Sequence, residues 1–369
     1  MYSLHFDNET FDEIPSGAGF QFWEKTRFYF RVVGCCNGLV CLSDDLFGFS
    51  NTVILWNPSI RRAFTLPVPR FDSHERYMLA LGFGVDPVTN DHKVVRMNYL
   101  KAVAVFGVEY IVPPVVEVFS LSSGNWRSIK TTSPYNVPER FWSQALINGV
   151  VHWVAYHVYE SGTFRNLVMS FDMGSEEFGE LNLPESLVKL PTEVMSAAIF
   201  GGSLTILQYD ALRYTRSCSV WVMKEYGIAE SWSHQFHVDL GEGFGLALGL
   251  RRNGEILLAT SRGELVSYNY WTRKRFNIGK RGTKDSFHVD SYTESLILLT
   301  EGYPVLEKGA RKVGYASSLS EKIEGWRQSG IEGWMWSGIE GWMPSVTVPF
   351  LAALILFCWP AVFCMQLKK

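Results

Sequence analysis

A glycine hairpin signal returns about every fifty residues along this chain, and it limits the possible folds more than any other feature. Asn37-Gly38, Asn148-Gly149, Gly201-Gly202 and Asn253-Gly254 each sit between two short, apolar, β-rich runs: VVGCCNGLVCL, QALINGVVHWV, AAIFGGSLTIL and LGLRRNGEILLA. Asn-Gly and Gly-Gly supply the two positive-φ positions of a type I′ turn, so each site reads as a tight two-stranded hairpin. Gly38, Gly149 and Gly254 are therefore expected at positive φ. The gap between Gly38 and Gly149 is about double the others and is split by another turn, DPVTND at Asp86 to Asp91, between LALGFGV and KVVRMNY. Hairpins at this period predict a β-propeller, in which one blade is one four-stranded sheet.

A second element follows each hairpin. Its copies read VILWNPSIRRAFTLP, VEVFSLSSGNWRSI, VMSFDMGSEEFGELNLP, VWVMKEYGIAESWSHQFHV and LVSYNYWTRKRFNI. In each, an alternating strand ends on an aromatic: Trp56, Phe119, Phe171, Trp221 or Tyr268. A polar turn intervenes, and a second aromatic then opens the outer strand: Phe64, Trp126, Phe178, Trp232 or Phe276. Alternation sends such rings into the wedge between neighbouring blades. The reading is all-β: a single closed propeller of six blades over residues 1–306. Five blades are complete within the chain, and the sixth joins ESLILL (Glu294 to Leu299) to the entry strand YSLHF (Tyr2 to Phe6). Pairing both ends in one sheet removes an exposed edge.

Beyond Leu306 the character changes. IEGW occurs at 323–326, 331–334 and 339–342, a strict repeat whose period fits neither a heptad nor a blade. Residues 307–345 are thus expected to be a flexible, low-complexity linker. Residues 346–367, VTVPFLAALILFCWPAVFCMQL, carry no charge. As a helix they would extend ~33 Å, enough for a hydrocarbon core of ~30 Å. The expectation is one apolar helix, about 348–367, not packed on the propeller and able to act as a C-terminal membrane anchor.

Composition narrows the function. The chain is 47% hydrophobic and 19% charged, with a net charge of −3, so nucleic acid is not an expected partner. The one basic run, Arg273, Lys274, Arg275, Lys280, Arg281 and Lys284, reads as a solvated blade edge that discourages pairing. Cys35, Cys36, Cys41, Cys218, Cys358 and Cys364 show no spacing of a disulfide framework, which suits reduced thiols in the cytoplasm or nucleus. The alternative location is a membrane, held by the C-terminal tail and facing the cytosol.

No enzyme constellation stands out, so no catalytic residue, metal site or cofactor is expected. His234 and His237 form an HxxH without a third ligand nearby. His152 alternates with apolar neighbours and reads as a hydrogen-bonded strand histidine. Cys35, Cys36 and Cys41 lack CxxC spacing and read as small core side chains. Gly241-Glu-Gly243-Phe-Gly245 precedes strand material rather than a helix, which argues against a phosphate loop.

The ordered series YSLHFDNE, VVGCCNGLVCL, ILWNPSIRRAFTLP, LGFGVDPVTNDHKVVRM, VEVFSLSSGNWRSI, LINGVVHWV, VMSFDMGSEEFGELNLPES, VWVMKEYGIAESW, RNGEILLA, LVSYNYWTRKRFNIG and YTESLILL spans nearly all of residues 2–299. It resembles the plant F-box-associated (F-box/kelch-repeat) interaction domain, including relatives of the S-locus F-box proteins. The resemblance implies a substrate-recognition propeller of an SCF-type ubiquitin ligase, normally preceded by an F-box helix bundle that docks on the Skp adaptor. The family's entry strand starts here at Tyr2, so the F-box is expected to be missing, which puts docking on Skp and cullin in doubt. The expected partner is a substrate protein of unknown identity. Its reading residues are expected in the loops Asp44 to Asn51, Tyr156 to Asn166 and Gln208 to Arg216, where exposed aromatics or arginines would be hot spots. The rival readings are a glycan-processing propeller enzyme, a passive scaffold, and a truncated copy that is non-functional or serves as a decoy adaptor.

Overall fold

The turns bend the chain where their residues permit. In the computed structural model, Asn37 and Gly38 have φ of 44° and 83°, Asn148 and Gly149 of 50° and 79°, and Gly201 and Gly202 of 57° and 84°. In each case the flanking residues pair directly, which is the two-residue hairpin whose twist matches its strands. Gly254 also lies at positive φ, 83°, but its hairpin is not the two-residue turn expected. Arg251 N–H donates to Glu255 O at 2.8 Å and Gly254 N–H to Arg251 O at 3.0 Å, so three residues ending at Gly254 bridge the strands. The structure describes residues 2–14, 30–298 and 362–367, apart from positions 7 and 9 and the segments 45–51, 72–75, 101–102, 106–107, 111–112, 131–134, 138–143, 160–161, 192–193, 210–216, 240–243, 252 and 283–286.

The chain opens with β1 (Tyr2–Phe6) and β2 (Glu13–Ile14). Blade one follows as β3 (Arg31–Cys36), β4 (Leu39–Ser43), β5 (Val53–Asn57) and β6 (Arg62–Thr65). Blade two begins with β7 (Arg76–Val85) and β8 (His92–Leu100). After a separate hairpin of β9 (Val103–Val105) and β10 (Val108–Tyr110), it ends with β11 (Val115–Ser120) and β12 (Asn125–Ile129). Blade three is β13 (Ala145–Ile147), β14 (Val150–Val158), β15 (Phe164–Asp172) and β16 (Phe178–Asn182), trailed by the short helix α1 (Glu185–Val188). Blade four is β17 (Met195–Phe200), β18 (Ser203–Tyr209), β19 (Ser217–Met223) and β20 (Trp232–Asp239). Blade five is β21 (Phe244–Leu250), β22 (Ile256–Thr260), β23 (Glu264–Asn269) and β24 (Lys274–Arg281). All five are antiparallel sheets whose strands neighbour one another in chain order.

The blades number five, not the six expected. The last sheet runs β2-β1-β26-β25 and takes in β25 (Phe287–Tyr292) and β26 (Val362–Leu367). β26 lies parallel to both neighbours, with Met365 opposite Leu4 on one side and Asp290 on the other, so this closing sheet is mixed rather than an up-and-down blade. β25 sits beside β21 on one side and β3 on the other, which returns the succession of sheets to its start.

Two expectations for the chain's end need correction. ESLILL is not a strand: its described part, Glu294 to Leu298, crosses onto blade one. There the Asn57 amide donates to Ser295 O at 3.0 Å and Ile297 O at 2.8 Å, and Arg62 Nη1 to Leu298 O at 3.2 Å. Carbonyls held by these side chains are not available to a ladder. The apolar helix is also absent from the described part of the tail, because Val362–Leu367 forms β26. No described helix is long and apolar enough to cross a membrane. A strand between β1 and β25 satisfies two rows of backbone donors and acceptors at once, which an isolated helix leaves open. Residues 346–361 and the linker at 307–345 lie outside the described residues.

The aromatic pairs go where alternation directs them. Trp56, Phe119 and Phe171 are buried, as are Phe64, Trp126 and Trp232 on the outer strands. Trp126 Nε1 donates to Pro67 O and Trp232 Nε1 to Asn182 O, both at 2.8 Å, tying an outer strand to the end of the preceding blade's outer strand. Trp153 Nε1 donates to Leu81 O at 3.1 Å and its ring lies over Gly82, where an added Cβ would come within 2.4 Å. Blade five breaks the series, with Phe276 50% exposed.

Candidate interaction surface

In an up-and-down sheet the first and third turns lie on one face of the ring and the second on the other. On the first face most turns are short, the exception being Lys224 to Ser231 of blade four. Beside the glycine hairpins stand four-residue turns opened by Asn57, Asp86, Asp172 and Asn269. Each side-chain Oδ1 accepts two backbone N–H groups, for Asp86 those of Val88 at 2.9 Å and Thr89 at 3.2 Å. The residue four positions on is left-handed in every copy: Arg61, Asn90, Glu176 and Arg273, at φ of 55° to 60°. Ser120 and Gly124 form the equivalent turn of blade two. The hydrogen bonds from Val88, and lesser ones from Thr89 and Lys93, hold the Asp86 carboxyl far below the usual carboxylate range.

By the same alternation the strand pairs that flank the three loops singled out above, β4 and β5, β14 and β15, and β18 and β19, direct their second turns to the opposite face, where blade five has only the short turn 261–263. Of Asp44 to Asn51 and Gln208 to Arg216, residues 45–51 and 210–216 lie outside the described residues. Tyr156 to Asn166 is described except for 160–161, and it caps an arm formed by the nine-residue strands β14 and β15. Gly162 at φ 77° turns the tip, with Tyr159 N–H bonded to Thr163 O at 2.8 Å. The base is fixed by Asn166, whose buried amide donates to Leu187 O at 2.9 Å and Leu190 O at 2.7 Å.

Aromatic side chains climb one side of this arm. Tyr135 is brought beside it by paired backbone bonds between Asn136 and Tyr156, both at 2.9 Å. His157 meets Tyr135 edge-on at 6.1 Å and Tyr159 edge-on at 4.7 Å. Tyr135 donates its hydroxyl to Glu180; partial burial, reinforced by that carboxylate, pushes its pKa up to about 12. At the tip Tyr159 is 44% and Phe164 40% exposed. Rigid aromatics with polar ends, set on a fixed arm, are the side chains that dominate protein interfaces. The dense aromatic text AYHVYESGTFRN was the available signal for them; Tyr135, more than twenty residues away, had none.

The other singled-out residues are not brought together into a site. His152 is buried, with Nδ1 3.1 Å from Ala145 O and Nε2 2.8 Å from the Tyr226 hydroxyl, and burial lowers its pKa to about 4. His237 Nδ1 lies 3.0 Å from Ser219 Oγ, while His234 packs edge-on against Trp221 at 5.1 Å. Among the described residues no group of three or more His, Cys, Asp or Glu could hold a metal. Cys35, Cys41 and Cys218 are buried free thiols, and burial pushes Cys218 up to about 12. Gly241 to Gly243 lies outside the described residues, and Phe244 and Gly245 start β21.

One buried polar cluster escaped sequence reasoning. Lys93 Nζ contacts Asp86 Oδ2 at 3.1 Å, Glu176 Oε1 at 2.8 Å and Met173 O at 2.6 Å, and Arg127 also pairs with Glu176. It joins blades two and three through residues 49 to 83 positions apart, so no local pattern marks it.

Sheet order defines the class of the fold, an all-β propeller. Comparison with known proteins names the family: residues 4–279 match the F-box associated beta propeller domain, and the chain belongs to that family. It is 29% identical over 308 residues to F-box protein At3g07870 of Arabidopsis thaliana, covering 70% of this chain and 68% of that one. It is 26% identical over 293 residues to F-box protein CPR1 of the same plant (74% and 69% covered). A third Arabidopsis relative, F-box/kelch-repeat protein At3g23880, is 30% identical over 246 residues (66% and 62% covered).

Proposed function

We propose that residues 1–306 act as the substrate-recognition module of an SCF-type ubiquitin ligase, without chemistry of their own. Family membership supports the class. The observation that carries the reading is the arm Tyr156 to Asn166, which presents Tyr159 and Phe164 on the long-loop face. In this role the propeller holds a target so that its lysine meets a charged conjugating enzyme, a proximity effect. The proposed location is the cytoplasm or nucleus.

The test is cross-linking capture from plant cells with the full chain and with Tyr159→Ala/Phe164→Ala. The expected result is a set of proteins, ubiquitinated in cells, that the wild-type chain retains and the double variant loses while melting at the same temperature. Retention of the same proteins by the variant would move recognition away from this arm. Turnover of a glycan substrate by the purified chain would replace the binder with an enzyme.

A further inference from the structure

The outer strand of blade five departs from the other outer strands. Residues 271–277 are all exposed, Trp271 at 79% and Phe276 at 50%. By contrast β6, β12 and β20 each bury an aromatic, Phe64, Trp126 and Trp232, and β16 packs a half-buried Phe178 against Phe171 with centroids 4.8 Å apart. Cations along a sheet edge discourage unwanted pairing, which accounts for Lys274 and Arg275. It does not account for two large rings left in water beside them. Tyr270 stacks on Phe236 with centroids 4.0 Å apart, and Trp271 leans on Tyr270 at 4.4 Å, so the indole is set in place at the start of the edge.

Alternation puts Lys274 and Phe276 on one face of the sheet and Arg275, opposite Tyr268, on the other. Two more cations of β24 are engaged already, Lys280 with Glu13 at 2.7 Å and Arg281 with Glu264 at 3.2 Å. Arg273 and Lys274 make no ion pair among the described residues. β24 ends the order β21-β22-β23-β24, so its outer backbone row has no further strand in that sheet.

We propose that this edge receives an extended acidic segment of a partner protein, which adds a strand to blade five. Backbone groups of β24 supply the pairing, Arg273 and Lys274 receive carboxylates, and Phe276 receives an apolar side chain. A nucleic acid would use the cations and rings but not the backbone row, and it would approach a chain of net charge −3. This surface is separate from the loop-face arm and does not depend on that arm's role.

The experiment is fluorescence anisotropy of the full chain with a labelled ten-residue peptide, EEVTEEVTEE, whose one face offers Glu and Val in turn to Lys274 and Phe276 and whose other face offers Glu to Arg273. Binding is expected, and methylation of every second backbone nitrogen of the peptide should abolish it. Arg273→Glu/Lys274→Glu should weaken it about tenfold or more and Phe276→Ala about threefold, with melting unchanged. Left-handed φ tolerates the first change, since Glu176 occupies the equivalent position in blade three. Equal binding of the methylated peptide, or of the peptide KKVTKKVTKK, would overturn strand addition by an acidic segment. Tighter binding of a ten-nucleotide thymidine oligomer would assign the edge to nucleic acid instead. Should the double variant fail to fold, the methylated peptide on the wild-type chain still decides.

Discussion

Two seams of the ring are formed by neighbouring sheets and yet are held by different physics. Between blades two and three, the Trp153 indole fills the space over Gly82 and bonds to Leu81 O. There the Gln144 amide pairs with both backbone groups of Phe83, at 2.7 and 2.8 Å, and Lys93 is enclosed by two carboxylates and a carbonyl. Between blade five and the closing sheet, β21 and β22 pair with two register shifts and β24 lies in solvent. A described ion pair in that region, Lys280 with Glu13, involves a carboxylate 49% exposed. The first seam is filled by an indole and an enclosed lysine; the second is held inside by Arg251, which bonds to Asn8 O and lies 4.7 Å over the Phe11 ring, and is solvated at its rim. Close packing anchors the first seam, and blade three, which forms half of it, also carries the exposed arm tip of Tyr159 and Phe164; two further exposed rings, Trp271 and Phe276, lie on β24 and the turn before it.

The largest effect should come from emptying the first seam. Trp153→Ala removes a fully buried indole and its hydrogen bond, and is expected to cost about 3–5 kcal/mol in chemical denaturation. Gly82→Ala should also destabilise the chain, since the new methyl would lie 2.4 Å from the indole and 2.8 Å from Val95 Cγ1. If either variant melts like the wild type, the contrast between the seams is wrong.

Charge removal sharpens the same contrast. Lys93→Met leaves Asp86 to its backbone N–H donors and Glu176 to Arg127, with both side chains about nine-tenths buried, and should cost about 3 kcal/mol. Lys280→Met, at the other seam, should cost roughly 0–1 kcal/mol, because Glu13 is well solvated. Equal losses from the two variants would show that burial does not set the value of these pairs.

Acid should act on blade three through His152. Burial holds its folded pKa at about 4, below roughly 6.5 for the unfolded chain. Above pH ~6.5 both states are neutral and its contribution is complete. As pH falls toward ~4 the unfolded chain takes up a proton that the folded chain refuses, so up to about 3 kcal/mol is lost. His152→Gln should flatten that part of a stability–pH curve; an unchanged slope would assign the acid sensitivity to other groups.

How much of this was legible follows from the range of each cause. Asn37-Gly38 and Asn148-Gly149 announce their turns because readiness for positive φ is a local preference of Asn and Gly. The paired aromatics were legible because alternation is local. Asn253-Gly254 misled because the dipeptide also fits a longer loop, and only the pairing of Arg251 with Glu255 distinguishes the two. VFCMQL misled because hydropathy reports the wish to leave water, not whether lipid or a sheet receives the segment. The arm was legible as a loop, yet its aromatic cluster depends on Tyr135, which reaches it through the Asn136 bridge to Tyr156. Lys93 and Glu176 are brought together only by closure of the ring.

The smallest effect on stability is expected at the arm, and its smallness is what makes the arm informative. Tyr159 and Phe164 are 44% and 40% exposed at a tip turned by Gly162, while the base is held by Asn166 and by the Asn136 bridge. Truncating both rings leaves those supports in place and creates no buried cavity, so the cost should stay within about 0.5 kcal/mol per site. Burial of such rings by a partner is another matter, since an aromatic anchor at the centre of an interface is commonly worth about 2 kcal/mol or more. Tyr159→Ala/Phe164→Ala should therefore separate binding from folding: an unchanged melting curve with partner capture reduced at least about tenfold. Asn166→Ala is the converse control, because it removes the two bonds to Leu187 and Leu190 carbonyls from within the fold and should lower stability by about 1–3 kcal/mol. A double variant that loses stability as Asn166→Ala does would mean that the tip belongs to the scaffold, and the division between a rigid ring and a presented surface would have to be drawn elsewhere.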